Sequence, residues 1–139
     1  MPKLKTVCAI VVNDSDQILL IKRARKPFKG YWAISSGVGE SRKGIPSEIG
    51  VVEEVNCDLG TKSFQGRYLF SLPIKDDPIT DEAVVFGGKI DETEINLKKK
   101  YTIEYKWVDK DSVEEFENLA FEHTQIIKRF FEVESDYRD

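Results

Sequence analysis

The order of the predicted regular elements is the strongest constraint on what this chain can fold into. An apolar, β-branched run at residues 5–12 predicts a buried strand. A turn at residues 13–16 leads to a returning strand at residues 17–22, so the pair is predicted to form a hairpin. A short apolar strand is predicted at residues 31–34, followed by a segment of small residues at 35–39.

Helices and strands both occur in the rest of the chain. A helix is predicted over residues 46–55, with Asn56 as its left-handed cap. Further strands are predicted at residues 63–74, 83–90 and 102–108, and helices at 111–118 and 122–133. Strands, a helix, strands and a final helix are typical of an α/β (α+β) fold in which a mixed sheet lies between helices.

Chain length and composition indicate one folded domain, with a core over about residues 5–131. The chain has 139 residues, of which 40% are hydrophobic and 33% charged, a balance typical of globular domains. The net charge of −4 gives no strong indication of nucleic-acid binding. No apolar run approaches the roughly 20 residues that cross a bilayer, and the N-terminus lacks a signal peptide's apolar stretch. We therefore expect a cytoplasmic protein without a membrane partner.

The cysteines and the single histidine do not indicate a zinc site. Cys8 and Cys57 lie far apart and belong to no Cys/His cluster with zinc spacing, so buried, inert thiols are favoured over a disulfide or a reactive site. His123 stands alone on a predicted helix, where a structural role is favoured over a catalytic one.

A Gly-rich turn followed by an acidic helix is the pattern that most favours chemistry. Glu48, Glu53 and Glu54 lie on the predicted helix over residues 46–55. Magnesium is typically held by one or two carboxylates together with water and substrate phosphates. Adjacent glutamates on a helix are more often a solvated face, so the pattern alone does not assign a metal site.

Two stretches together resemble the signature region of the Nudix (MutT-like) family. They are GYWAISSGVGE at residues 30–40 and VVEEVNC at residues 51–57. The family signature is G-x5-E-x7-R-E-U-x-E-E-x-G-U, where U is aliphatic. The resemblance covers about residues 5–131 and implies an α/β/α sandwich with a mixed sheet between helices. It also implies a hydrolase that cleaves diphosphate bonds in nucleoside diphosphate derivatives with Mg²⁺ or Mn²⁺.

The signature is degenerate in this chain. Placing its final Glu pair on Glu53 and Glu54 puts Ile49 at the Arg position, Gly50 at the first helical Glu and Asn56 at the final Gly. The loop from Gly37 is then two residues short. Because an isolated buried charge is costly, losing an Arg and a Glu together is more tolerable than losing either alone.

The resemblance assigns the candidate site residues. Glu53 and Glu54 are the candidate catalytic residues, and with Glu40 they are the candidate metal ligands; Glu48 and Glu104 are further carboxylates that could assist. Arg23, whose counterpart in the family commonly faces the cleft, and Gly37, the signature's first glycine, are candidate substrate-binding residues. Phe28 is a third, chosen as the exposed aromatic residue that could stack on a base.

Three functions stay open. The first is a metal-dependent diphosphate hydrolase, the second a non-catalytic sensor or regulator that binds a nucleotide-like ligand, and the third a structural or protein-interaction role. The sequence leaves the substrate's identity and a possible homodimer undecided.

Overall fold

The computed structural model describes residues 3–138, without the side chains of residues 39, 40 and 135–138. Within this range the chain forms seven strands, three α-helices and two 3-10 turns. The strands are β1 (Leu4–Val11), β2 (Gln17–Arg23), β3 (Trp32–Ala33), β4 (Ser35–Gly37), β5 (Gln65–Pro73), β6 (Thr80–Lys89) and β7 (Thr102–Asp109). The helices are α1 (Gly39–Arg42), α2 (Ser47–Leu59) and α3 (His123–Arg138), and the 3-10 turns are Glu92–Glu94 and Val113–Phe116.

The strands form two sheets. One has the order β4-β1-β6-β5, in which β1 and β6 are parallel and the other pairs antiparallel; the other is antiparallel, with the order β3-β2-β7. The predicted β1–β2 hairpin is therefore wrong, because only one bridge, between Val12 and Ile18, joins the two segments. Each strand already has a partner on both edges, so no hydrogen-bonding edge remains for the other.

Residues on the two faces of β1 and β2 enter two separate cores. Cys8 and Ile10 of β1 pack with Ile126, Ile127 and Phe130 of α3. The alternate β1 residues, Val7, Ala9 and Val11, pack with Val51, Val55 and Leu59 of α2. Because successive strand side chains point to opposite faces, α2 and α3 cover opposite sides of these strands. The expected sandwich of helices around a mixed sheet is confirmed.

Several predicted boundaries change. Helix α2 continues to Leu59, and the left-handed cap is Gly60 at φ 73° rather than Asn56. The segment 111–118 forms one 3-10 turn instead of a helix. The small-residue segment contains β4, and Cys57 lies inside α2 rather than after it.

The remaining sequence expectations concern cysteines and membranes. Both cysteines are free thiols, with Cys8 buried and Cys57 half-buried. Burial raises the pKa of the Cys8 thiol to about 12. No helix in residues 3–138 is long and apolar enough to cross a membrane. The expectation drawn from the N-terminus concerns residues 1 and 2 in part, and these lie outside the described residues.

Candidate functional site

A cleft of about 1060 Å³ lies among the loop after β2, strand β4, helix α2, the β5–β6 loop and the start of α3. Its basic lining residues outnumber its acidic ones. The basic side chains are Arg23, Arg25, Lys26, Arg42 and Lys75, and the acidic ones are Glu54, Asp76, Asp77 and Glu122. The arginines of this lining are the groups suited to meet an anionic ligand.

Glu54 is the carboxylate of α2 that lines this cleft. Its side chain is buried, and its carboxylate packs directly against Gly37 of β4. A Cβ at position 37 would lie 2.7 Å from Oε1 of Glu54 and closer still to Cδ and Oε2. Gly37 is therefore required for close approach to the helix, and the structure brings the predicted residues Gly37 and Glu54 together.

Asp58 lies one turn after Glu54 and is also buried. Its Oδ2 accepts hydrogen bonds from Ser35 Oγ at 2.7 Å and from the Ser36 backbone N–H at 3.2 Å. Burial, reinforced by the charge of Glu54, raises the pKa of Asp58 to about 7 against the lowering effect of the Ser35 hydrogen bond. The sequence analysis missed Asp58, although it stands four residues after Glu54 and two before a glycine.

The helix cap allows a second register for the signature. If Gly60, which ends α2 in the left-handed conformation, is the signature's final glycine, Glu54 takes the first helical Glu position. Cys57 and Asp58 then stand at the Glu pair, and Glu53 at the Arg. The loop from Gly37 becomes two residues longer than the signature instead of two shorter, and Thr61 occupies the final aliphatic position. In this register two of the three helical Glu positions, Glu54 and Asp58, remain acidic.

The other predicted carboxylates are not among the described residues that line the cleft. Glu53 is half-buried on α2 and is not among the described residues that line the cleft. Glu48 is exposed and borders a separate cavity of about 540 Å³ with Phe64 and Arg67, and Glu104 is exposed on β7. Glu40 belongs to α1, but its side chain lies outside the described residues.

Two arginines in the cleft are held against aromatic rings. Arg23 Cζ lies 4.8 Å from the ring centroid of Phe121, and Arg25 Cζ lies 4.6 Å from that of Tyr101. Arg23 is buried, and its Nε donates to the Pro27 carbonyl at 2.8 Å. Burial, followed by the nearby charge of Arg25, lowers the pKa of Arg23, while Asp58 opposes this shift. The prediction that Arg23 faces the cleft agrees with this position.

An aromatic cluster borders the cleft, which Phe28 and Phe121 line. The rings of Phe28 and Phe121 meet edge to face at 4.9 Å, and Phe28 meets Tyr31 at 5.4 Å. Phe28 and Phe121 are 41% and 42% exposed, and both have positive φ, at 62° and 56°. Bulky residues rarely adopt this conformation, and such strain often accompanies binding sites. The sequence analysis chose Phe28 as the exposed aromatic residue but missed Phe121 and Tyr101, which carry no motif.

The carboxylates at the cleft could hold a divalent cation only if a bound ligand supplied some of the coordinating oxygens. Among the side chains that the structure describes, no three His, Cys, Asp or Glu residues form a group that could hold a metal ion. Glu54 and Asp58 provide two carboxylates, and Asp58 already accepts two hydrogen bonds. Magnesium accepts such a set when water and substrate phosphates supply the remaining oxygens.

No family model matches the sequence, and no curated protein matches it. Solved structures do match. The NUDIX domain of NrtR from Shewanella oneidensis, solved in complex with ADP ribose, has 20% identity and a TM-score of 0.74, covering 95% of this chain and 88% of that one. A MutT NUDIX hydrolase from Burkholderia pseudomallei has 24% identity and a TM-score of 0.66, covering 80% and 86%.

A third structure is much longer than this chain. The bifunctional NMN adenylyltransferase/ADP ribose pyrophosphatase from Francisella tularensis has 20% identity and a TM-score of 0.68, covering 94% of this chain and 41% of that one. The expected resemblance is therefore confirmed at the level of the fold: this chain has the Nudix fold.

Proposed function

We propose that this protein binds a nucleoside diphosphate derivative in the cleft and hydrolyses its diphosphate bond with Mg²⁺ or Mn²⁺. The observation that carries the proposal is the position of Glu54. It is a buried carboxylate on the wall of a cleft with an excess of basic side chains, on the helix that the Nudix signature describes. The structures that share the fold include a MutT NUDIX hydrolase and an ADP ribose pyrophosphatase.

The two arginines are suited to bind the diphosphate. Arg23 and Arg25 each lie over an aromatic ring, which restricts the guanidinium groups before a ligand arrives. A planar guanidinium can donate two parallel hydrogen bonds to a phosphate. Because the Arg23 Nε already donates to Pro27, the Arg23 NH groups are the donors that would meet phosphate oxygens.

The aromatic cluster is suited to bind the base. Phe28 and Phe121 line the cleft with their rings partly exposed, and their edge-to-face contact leaves no space for a third ring between them. A nucleobase would therefore stack on an exposed ring face, an interaction worth about 1–3 kcal/mol per base in nucleic-acid-binding proteins. Because Arg23 lies over the Phe121 ring, the phosphates and the base would occupy neighbouring parts of one cleft.

Glu54 and Asp58 are the residues that would hold the cation together with substrate oxygens. A bound Mg²⁺ or Mn²⁺ would supply Lewis-acid polarisation of a phosphate oxygen. Glu53 and Glu40, assigned from the sequence resemblance, stay in the proposal as alternative ligands. Without a cation, the raised pKa of Asp58 leaves it partly protonated near neutral pH.

Binding without hydrolysis is the second candidate function. Cys57 stands where the signature has a glutamate, and Asp58 is already engaged by Ser35 and Ser36. Both features favour a ligand sensor, because they weaken the cation site while leaving the arginines and aromatic rings in place. The NrtR domain with the same fold was solved in complex with ADP ribose.

A hydrolysis screen with matched variants tests both functions. The protein, Glu54→Gln and Glu53→Gln would be incubated with nucleoside triphosphates, nucleotide sugars, ADP-ribose and dinucleoside polyphosphates, with Mg²⁺ and then Mn²⁺. We expect metal-dependent turnover that Glu54→Gln lacks and Glu53→Gln keeps, because only Glu54 lines the cleft. Loss in both variants would restore the register based on Glu53 and Glu54.

A thermal-shift measurement on the same compounds separates the remaining outcomes. Stabilisation without turnover would support the sensor, since a ligand that binds the native state raises the melting temperature. If no compound is hydrolysed and none stabilises the protein, both functions are refuted, and a protein-interaction role remains.

A further inference from the structure

A buried hydrogen-bonded path connects the first residue of α3 with the wall of the cleft. His123 is 2% exposed, and its Nδ1 accepts a hydrogen bond from the Ile34 backbone N–H at 3.2 Å. A backbone N–H can only donate, so Nδ1 must carry a lone pair and the ring proton must be on Nε2. Burial and the charge of Arg23 lower the pKa of His123 to about 3, which keeps the ring neutral.

The Nε2 proton fixes the role of Ser36. Ser36 Oγ lies 3.3 Å from His123 Nε2, and in this tautomer Nε2–H donates while Oγ accepts. A hydroxyl has a single proton, which is then left to donate to another acceptor. The Ser36 backbone N–H is held separately by Asp58, and the residue lines the cleft beside Gly37.

We propose that His123 is a positioning residue that orients the Ser36 hydroxyl so that its proton donates to an oxygen of the anionic ligand. This inference rests on the proposed binding function and adds a neutral donor to the charged arginines. Ser36 would contact the ligand directly, whereas His123 would act only through Ser36. Ser36 lines the same cleft as Arg23 and Arg25, the residues proposed to bind the diphosphate.

Two substitutions of His123 separate positioning from structural support. In His123→Asn, the side-chain oxygen can replace Nδ1 as the acceptor for Ile34, but the donor to Ser36 is lost. In His123→Gln, the longer amide can replace the Nε2 donor. A purely structural histidine would make His123→Asn harmless to binding, whereas a positioning histidine would make it resemble Ser36→Ala.

The affinity measurement uses ADP-ribose, ADP and inorganic pyrophosphate with a chelator present, so that no hydrolysis occurs. We expect Ser36→Ala and His123→Asn each to weaken binding by roughly 3- to 10-fold, the usual effect of one hydrogen bond. His123→Gln should bind more tightly than His123→Asn. The double variant Ser36→Ala/His123→Asn should bind as tightly as Ser36→Ala alone, because both changes remove the same contact with the ligand.

Ser71→Ala is the matched serine control, because the Ser71 hydroxyl contacts Tyr68 on β5 and lies outside the described cleft lining. If Ser36→Ala binds as tightly as the unmodified protein, this inference is overturned and the proposed function stands. If the unmodified protein binds none of the three probes, this inference is overturned, whereas the proposed function is decided by the hydrolysis screen with Mg²⁺ or Mn²⁺. Nitrogen NMR of the His123 ring provides a test without ligand, since a proton on Nδ1 would contradict the assigned tautomer.

Discussion

Replacing Gly37 by alanine would place a methyl group against the carboxylate of Glu54. The new Cβ would lie 2.7 Å from Oε1 and closer still to the other carboxylate atoms, well inside the normal contact distance of about 3.5–4.0 Å. Glu54 is 7% exposed, so its side chain has little room to move away. The backbone of Gly37 has no positive φ, and the effect of the substitution therefore comes from this contact.

Whether Gly37→Ala lowers or raises the stability tells close packing from open space at this position. Overpacking a buried position destabilises proteins by about 1–3 kcal/mol. At an unobstructed position with ordinary φ, a Gly→Ala change instead stabilises by about 0.4–1 kcal/mol, because it restricts the unfolded chain. We therefore expect Gly37→Ala to lower the free energy of unfolding, and the melting temperature to fall by roughly 3–5 °C for each kcal/mol lost.

Urea denaturation of a double-mutant cycle attributes the loss to the contact. Glu54→Ala removes the carboxylate, so adding Gly37→Ala in that background should cost far less than in the unmodified protein. A coupling energy of about 1 kcal/mol or more is expected for residues in direct contact. If Gly37→Ala is as stable as the unmodified protein or more so, or if the two changes are additive, the close packing of β4 against α2 is refuted.

Three further predictions concern stability and binding. Folding raises the pKa of Asp58 to about 7, so the contribution of Asp58 to the free energy of unfolding falls as the pH rises from about 4 to 7. Folding lowers the pKa of His123 to about 3, so the contribution of His123 rises over the same pH range. Asp58→Asn should therefore lose stability below about pH 6.5 more steeply than the unmodified protein, as measured by urea titration with a chelator; an unchanged pH dependence would contradict this. Thr102→Val should stabilise by about 1–2 kcal/mol in urea titrations, because the buried Thr102 Oγ1 has no hydrogen-bond partner among the described residues, and a loss of stability would refute it. Phe28→Gly should relieve about 1–2 kcal/mol of strain at φ 62° yet weaken ADP-ribose binding by roughly 5- to 100-fold in calorimetry, so unchanged affinity would exclude stacking on this ring.

The sequence predicts the layers of the fold better than the pairing of its strands. The continuous apolar runs of β1 and β2 indicate burial, and both faces of these strands do enter cores. The predicted hairpin failed because a short turn between two apolar strands does not determine which edges pair. Each strand instead pairs with partners distant in sequence, β1 with β6 and β2 with β7.

The residues of the candidate site were likewise predicted only in part. Gly37, Glu54, Arg23 and Phe28 were predicted and lie at the cleft. The end of α2 was misplaced because Asn56 and Gly60 are both plausible left-handed caps, and only the backbone shows that α2 continues to Leu59. Contacts such as Arg23 with Phe121 depend on residues far apart in the chain, and no local pattern encodes them.

The position of α3 along the chain has a consequence for when the cleft can exist during synthesis. Arg23 and Phe28 lie near the beginning of the chain, but Phe121 and His123, which complete the same cleft, are added almost one hundred residues later. A ribosome-bound chain that lacks α3 would leave one hydrophobic core uncovered and the cleft without one wall. The proposed ligand could therefore be captured, and could stabilise the protein, only after α3 has docked.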